Sequence, residues 1–242
     1  MSSSSSSSRT SPLAPLAPLF YLLNWVAFVG WSYVLFFLIF WYTEDDANSD
    51  NDGAALLSAT RTPVLLLEGI CVVEVLRIFL KDLPGNLILG VILHAIRFTA
   101  ILEVLPRAVA ITQQLQPSSS SSWTAPAILL SWAVTEVTRY PMYLFPSSTL
   151  CRSIRMVVPL VTFPIGACAE FCGAYQVFFA STTTDDMGQL VVPVWLKILL
   201  VVMMLVNGIL GPYLAYPALL KKGLPVLGLA PTTKAKPKLR TV

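Results

Sequence analysis

The side chains best placed to do chemistry are ionisable groups inside long apolar stretches. Glu68, Glu74 and Arg77 fall in one stretch, His94, Arg97 and Glu103 in the next, Glu136 and Arg139 in a third, and Glu170 in a fourth. A charge in such surroundings is costly, so each marks either a functional group or a buried pair. Glu136 and Arg139 are three residues apart, neighbours on one helix face, with Tyr140 and Tyr143 following. They are expected to join one buried network with Arg97 or Glu74, because each alone would be an uncompensated charge. Glu68, Arg77 and Glu103 lie nearer the ends of their stretches, where they can reach the interface, and are read as structural.

Several chemistries are excluded. The lone histidine, His94, cannot supply the His-rich boxes of membrane di-iron enzymes. No Gly-rich phosphate loop, Cys-x-x-Cys pair or Gly-x-Ser-x-Gly elbow occurs. Cys71 and Arg77 have the Cys-x5-Arg spacing of a tyrosine phosphatase loop, but they sit in an apolar helix with no free amides to cradle a phosphate. The four cysteines, Cys71, Cys151, Cys168 and Cys172, are read as small buried residues rather than disulfide partners. Nothing points to a metal site or to a nucleic-acid partner.

The elements that must position these groups are membrane helices. Of 242 residues, 55% are hydrophobic and 12% charged, against roughly 25% charged in soluble domains. The expected fold is all-α, a polytopic bundle of about six transmembrane helices, at Leu19–Tyr42, Pro63–Leu80, Asn86–Leu105, Trp123–Phe145, Met156–Ala180 and Leu190–Leu219. Each approaches or exceeds the ~20 apolar residues that span a bilayer, in runs that are continuous rather than alternating. The expected organisation is a disordered cytoplasmic tail over 1–18, a membrane domain over 19–219 and a basic cytoplasmic tail over 220–242. Ser2–Ser8 and Ser118–Ser122 are low-complexity runs. With both termini cytoplasmic, ten of sixteen Lys and Arg residues fall on the cytoplasmic side and two, Arg61 and Arg107, opposite, as the positive-inside rule requires. The acidic cluster Glu44, Asp45, Asp46, Asp50 and Asp52 then lies outside, with Asp185 and Asp186. Pro141 removes a helical hydrogen bond and is expected to kink the end of the fourth span and draw Tyr140 from helical geometry.

The stretch from Ser131 to Phe145, SWAVTEVTRYPMYLF, resembles the signature of the very-long-chain (3R)-3-hydroxyacyl-CoA dehydratases, the protein tyrosine phosphatase-like family. The resemblance extends over Tyr21, Asn24, Gly30 and Trp31, then Glu74, Pro84 and Arg97, and on to Arg155, Phe163, Pro164, Gly166 and Glu170. It implies a six-span protein of the endoplasmic reticulum membrane that dehydrates (3R)-3-hydroxyacyl-CoA to trans-2-enoyl-CoA during fatty-acid elongation. The implied partners are the acyl-CoA substrate, other elongase subunits and membrane lipid, with no cofactor.

The family's catalytic pair is a Tyr and a Glu in Tyr-Pro-x-Gly-x-x-x-Glu. By resemblance Glu170 is the Glu, and Phe163 stands at the Tyr position. Seven helical residues place the two on one face about 10 Å apart along the axis. Phe keeps the ring but lacks the hydroxyl that would exchange a proton; Leu93 stands where the family has Gln. Glu74, Arg97, Glu136, Arg139, Tyr140, Tyr143, Arg155 and Gly166 take the family's supporting or substrate-binding positions. If another hydroxyl replaces the missing one, Tyr140, Tyr143 and Tyr175 are the candidates. The alternative is a catalytically silent homologue, a scaffold or acyl-CoA binder in the elongase complex. A small transporter would call for repeated or broken helices, and no internal repeat is found.

Overall fold

The structure, a computed structural model, describes residues 14–43, 53–83, 85–115, 123–180 and 192–229. Among them there is no strand. The helices are α1 (Ala17–Thr43), α2 (Gly53–Phe79), α3 (Leu87–Thr99), α4 (Leu105–Leu115), α5 (Thr124–Leu144), α6 (Thr149–Val157), α7 (Pro159–Ala180), α8 (Val194–Leu205) and α9 (Tyr216–Gly223). A π-helical turn, Ala100–Val104, joins α3 to α4. A longer π-helical segment, Val206–Ala215, joins α8 to α9. With α6 running into α7, the described residues form six helical rods.

Four rods are long and apolar enough to cross a membrane: Ala17–Thr43, Leu87–Gln113, Thr149–Ala180 and Val194–Gly223. The other two, α2 and α5, have 27 and 21 residues, so even the shorter reaches ~32 Å. Their apolarity is diluted by the charged and hydroxyl side chains that they turn inward. Burial is inverted relative to a soluble protein. Leu66, Ile88, Val194 and Tyr213 are 69–77% exposed, whereas Glu68 and Glu136 are at most 1% exposed. Lipid supplies the solvent that such a surface requires, and the chain is a helical membrane protein.

α5 is the central helix, packing most extensively on α1 and α7 and also touching α2, α4 and α6. α1 buries only Ala27, Trp31, Val34 and Leu38, a stripe at three- and four-residue spacing on an otherwise apolar rod. Asn86 caps α3 by accepting from the Leu89 amide (3.2 Å), and Ser148 caps α6 by accepting from the Cys151 amide (3.3 Å).

Several boundaries differ from the sequence expectation. α2 starts ten residues before Pro63, which lies inside the helix; the polar residues Thr60, Arg61 and Thr62 are helical, and Thr60 Oγ1 donates back to the Leu56 carbonyl at 2.8 Å. The third rod continues past Leu105 to Leu115, and helix begins at Ala17 and ends at Gly223, inside the two proposed tails. Pro141 is accommodated in the last turn of α5, and Tyr140 stays helical. The serine runs, the acidic residues from Glu44 to Asp52, Pro84, Asp185, Asp186 and the last thirteen residues lie outside the described residues.

Candidate active site

Three helices, α2, α3 and α5, bring their inward charges to one network. Arg97 of α3 places Nη1 2.7 Å from Glu68 Oε1 of α2 and 2.8 Å from Glu136 Oε1 of α5. His94, one turn before Arg97, meets Glu68 Oε2 at 2.7 Å through Nδ1. Arg139 extends the network along α5: its Nε lies 2.9 Å from Glu136 Oε2, an ion-pair contact outside hydrogen-bond angles. Its Nη2 reaches Glu74 Oε1 at 3.3 Å, the Tyr140 hydroxyl at 2.9 Å and Cys71 Sγ at 3.4 Å. Tyr143 packs edge-on against Tyr140. On α6, Arg155 stands within electrostatic reach of Glu74, Glu136, Arg139 and Tyr143, with no direct ion pair among the described residues. A network this dry is stable only while its charges remain paired.

Glu170, on α7, belongs to a second cluster. Each carboxylate oxygen accepts from a different helix: Oε1 from Trp132 Nε1 of α5 at 2.7 Å, and Oε2 from Asn207 Nδ2 of the last rod at 2.7 Å. The Arg97 guanidinium lies 5.2 Å from the centre of the Trp132 ring, so Trp132 both separates and links the two clusters. Gly166 allows this approach of α5 and α7, since a Cβ there would stand 2.6 Å from Ser131 Oγ and 3.2 Å from Ser131 Cβ.

An apolar cavity of about 680 Å³ opens between α7 and the last rod; Glu170 does not line it but is joined to its wall through Asn207. Phe163, Ala167 and Phe171 line one wall, and Asn207, Gly208 and Tyr216 the other. Phe163 and Glu170 both face the last rod, as their seven-residue spacing requires. The Phe163 ring stacks on Tyr216 at 6.2 Å and 11°, and its tip is 3.0 Å from where a Cβ on Gly211 would stand. The Tyr216 hydroxyl donates to the Leu160 carbonyl at 3.2 Å.

The structure thus brings Glu74, Arg97, Glu136, Arg139, Tyr140 and Tyr143 together, with Arg155 at their edge, and places Phe163, Gly166 and Glu170 on the other side of Trp132. Glu68 is structural, as the sequence suggests, but for a different reason: it does not reach the interface from a span end but is the fully buried partner of Arg97 and His94, because the early start of α2 puts it near mid-helix. Arg77 and Glu103 hold structural pairs, Arg77 with Asp82 and the Phe20 ring, Glu103 with Arg107. The tyrosine beside Phe163 is Tyr216; Tyr140 and Tyr143 belong to the charged network, and Tyr175 stacks on Phe171 and packs at a tilt against Phe179. Sequence reasoning missed Trp132 and Asn207, although an amide in the apolar last span was a visible signal. Cys71 and Arg77 both lie within α2, so they form no phosphate loop. Among the described residues no group of three or more His, Cys, Asp or Glu side chains is placed to hold a metal ion.

The family described as "Protein tyrosine phosphatase-like protein, PTPLA" matches residues 71–228. The chain belongs to this family. It is the very-long-chain 3-hydroxyacyl-CoA dehydratase family, and the matched region contains both clusters except Glu68. Neither a curated protein nor a solved structure matches the chain.

Proposed function

We propose that the chain dehydrates (3R)-3-hydroxyacyl-CoA to trans-2-enoyl-CoA in very-long-chain fatty-acid elongation, with Glu170 as the acid/base group. The observation that carries this reading is a carboxylate at the family's Glu position held by two donors, one of which lines an apolar cavity. The thioester acidifies the α carbon. Glu170 takes the α proton, the α,β double bond forms as the C3–O bond breaks, and the same carboxyl returns its proton to the departing hydroxyl, which leaves as water. One carboxylate can serve both transfers in a syn elimination; losing a second acid/base group costs typically 10²–10⁴-fold. The charged network holds α2, α3 and α5 in place.

The working location is the endoplasmic reticulum membrane beside other elongase subunits, a reading that rests on family membership; the cytoplasmic placing of both termini is supported by the asymmetry of basic residues. A second reading, a silent scaffold or acyl-CoA binder, is favoured by Phe163, whose ring is packed on Tyr216 and offers no hydroxyl. Purified wild type and Phe163→Tyr, assayed on a range of 3-hydroxyacyl-CoA chain lengths, decide between them. Turnover by wild type, raised by the substitution, supports the dehydratase. Two folded but inactive proteins establish the scaffold.

A further inference from the structure

The inward stripe of α8 is Leu196, Leu200 and Met203, and the same three- and four-residue spacing next reaches Asn207. The core would accept an apolar side chain there. An amide instead costs ~1–3 kcal/mol unless it finds a partner. Its partner is Glu170 Oε2, at 2.7 Å. Asn207 also stands at the start of the π-helical segment Val206–Ala215, a distortion that occurs often at functional sites, and it lines the cavity. The close approach is built in: a Cβ on the adjoining Gly208 would lie 2.9 Å from the Phe171 ring.

We infer that Asn207, which lines the cavity, is a positioning residue that sets the orientation of the Glu170 carboxylate behind it, a role that rests on the proposed acid/base function of Glu170. Trp132 fixes one oxygen from α5, and Asn207 fixes the other from the last rod. With only one clamp the carboxylate can turn about its terminal bond, and a misplacement of ~1 Å costs on the order of 10²-fold in rate. Substrate binding, carried by cavity walls and by CoA contacts, should change far less.

Asn207→Leu restores an apolar stripe, and Asn207→Ala serves if leucine disturbs folding. In the purified full chain, either is expected to lower kcat by about tenfold to a hundredfold with KM within about threefold, and to lower the melting temperature because Glu170 Oε2 loses its donor. Independently of turnover, the infrared carboxylate band of Glu170, identified as the band lost in Glu170→Gln, should shift when Asn207 is replaced. An unmoved band, or an unchanged kcat in an active protein, overturns the positioning role. A shifted band in a protein whose wild type has no dehydratase activity overturns the proposed function but leaves the Asn207 clamp standing.

Discussion

Replacing Arg97 by alanine should remove the cation on which three helices converge. Its Nη1 serves Glu68 and Glu136 at 2.7 and 2.8 Å, and all three side chains are at least 95% buried. After the substitution Glu68 retains His94 and Glu136 retains Arg139, but two buried carboxylates face each other across the vacated space. Breaking a buried pair costs ~3–5 kcal/mol through the charge left behind. For a protein of this size 1 kcal/mol moves Tm by ~2–4 °C, so Arg97→Ala should lower the melting temperature in detergent by about 6–20 °C. Adding Glu68→Gln and Glu136→Gln to an Arg97→Met background removes the stranded charges and should recover most of that loss. A melting temperature within about 2 °C of wild type for Arg97→Ala would refute the network as a dry, energetically coupled unit.

Gly166→Ala should force α5 and α7 apart at Ser131, destabilising by ~1–3 kcal/mol; Ser131→Gly in the same chain should restore the melting temperature, and no rescue would show that the contact is not the cause. Trp132→Phe keeps a ring over Arg97 but deletes the donor to Glu170 Oε1, so stability should fall by ~1.5–3 kcal/mol together with turnover. Glycan-acceptor tags in the 45–53 region and after Asp186 should be modified in microsomes and tags after Lys222 should not; modification of the last would reverse the orientation.

The rods and the α5 charges were legible because length, apolarity and a three-residue spacing are local properties. Glu136, Arg139 and Arg97 could be assigned to one network because a lone charge in lipid is untenable. What pairs with what was less accessible. An all-apolar rod such as α1 does not announce its buried face, so the positions of Trp132 and Asn207 emerge only when α5, α7 and the last rod are packed. In sequence the second span begins at Pro63, where the apolar run starts, ten residues after the start of α2, and that puts Glu68 near an end. At the candidate site Gly166 was found through family position alone; its physical reason, the approach of α5 on Ser131, is a property of two helices together. Phe163 was visible at once as a departure from the family, but its packing on Tyr216 depends on the π-helical path of the last rod.

The most direct measurement is the steady-state dehydration of a (3R)-3-hydroxyacyl-CoA by the purified full chain beside Glu170→Gln, both checked for matched melting profiles. Glutamine preserves shape while removing the acid/base group; its oxygen can still accept from Trp132, and its NH2 can donate to the Asn207 amide oxygen once that amide is turned over. Wild type should turn over measurably and Glu170→Gln should lose at least about 10²-fold; equal rates in the two proteins would contradict an acid/base role for Glu170.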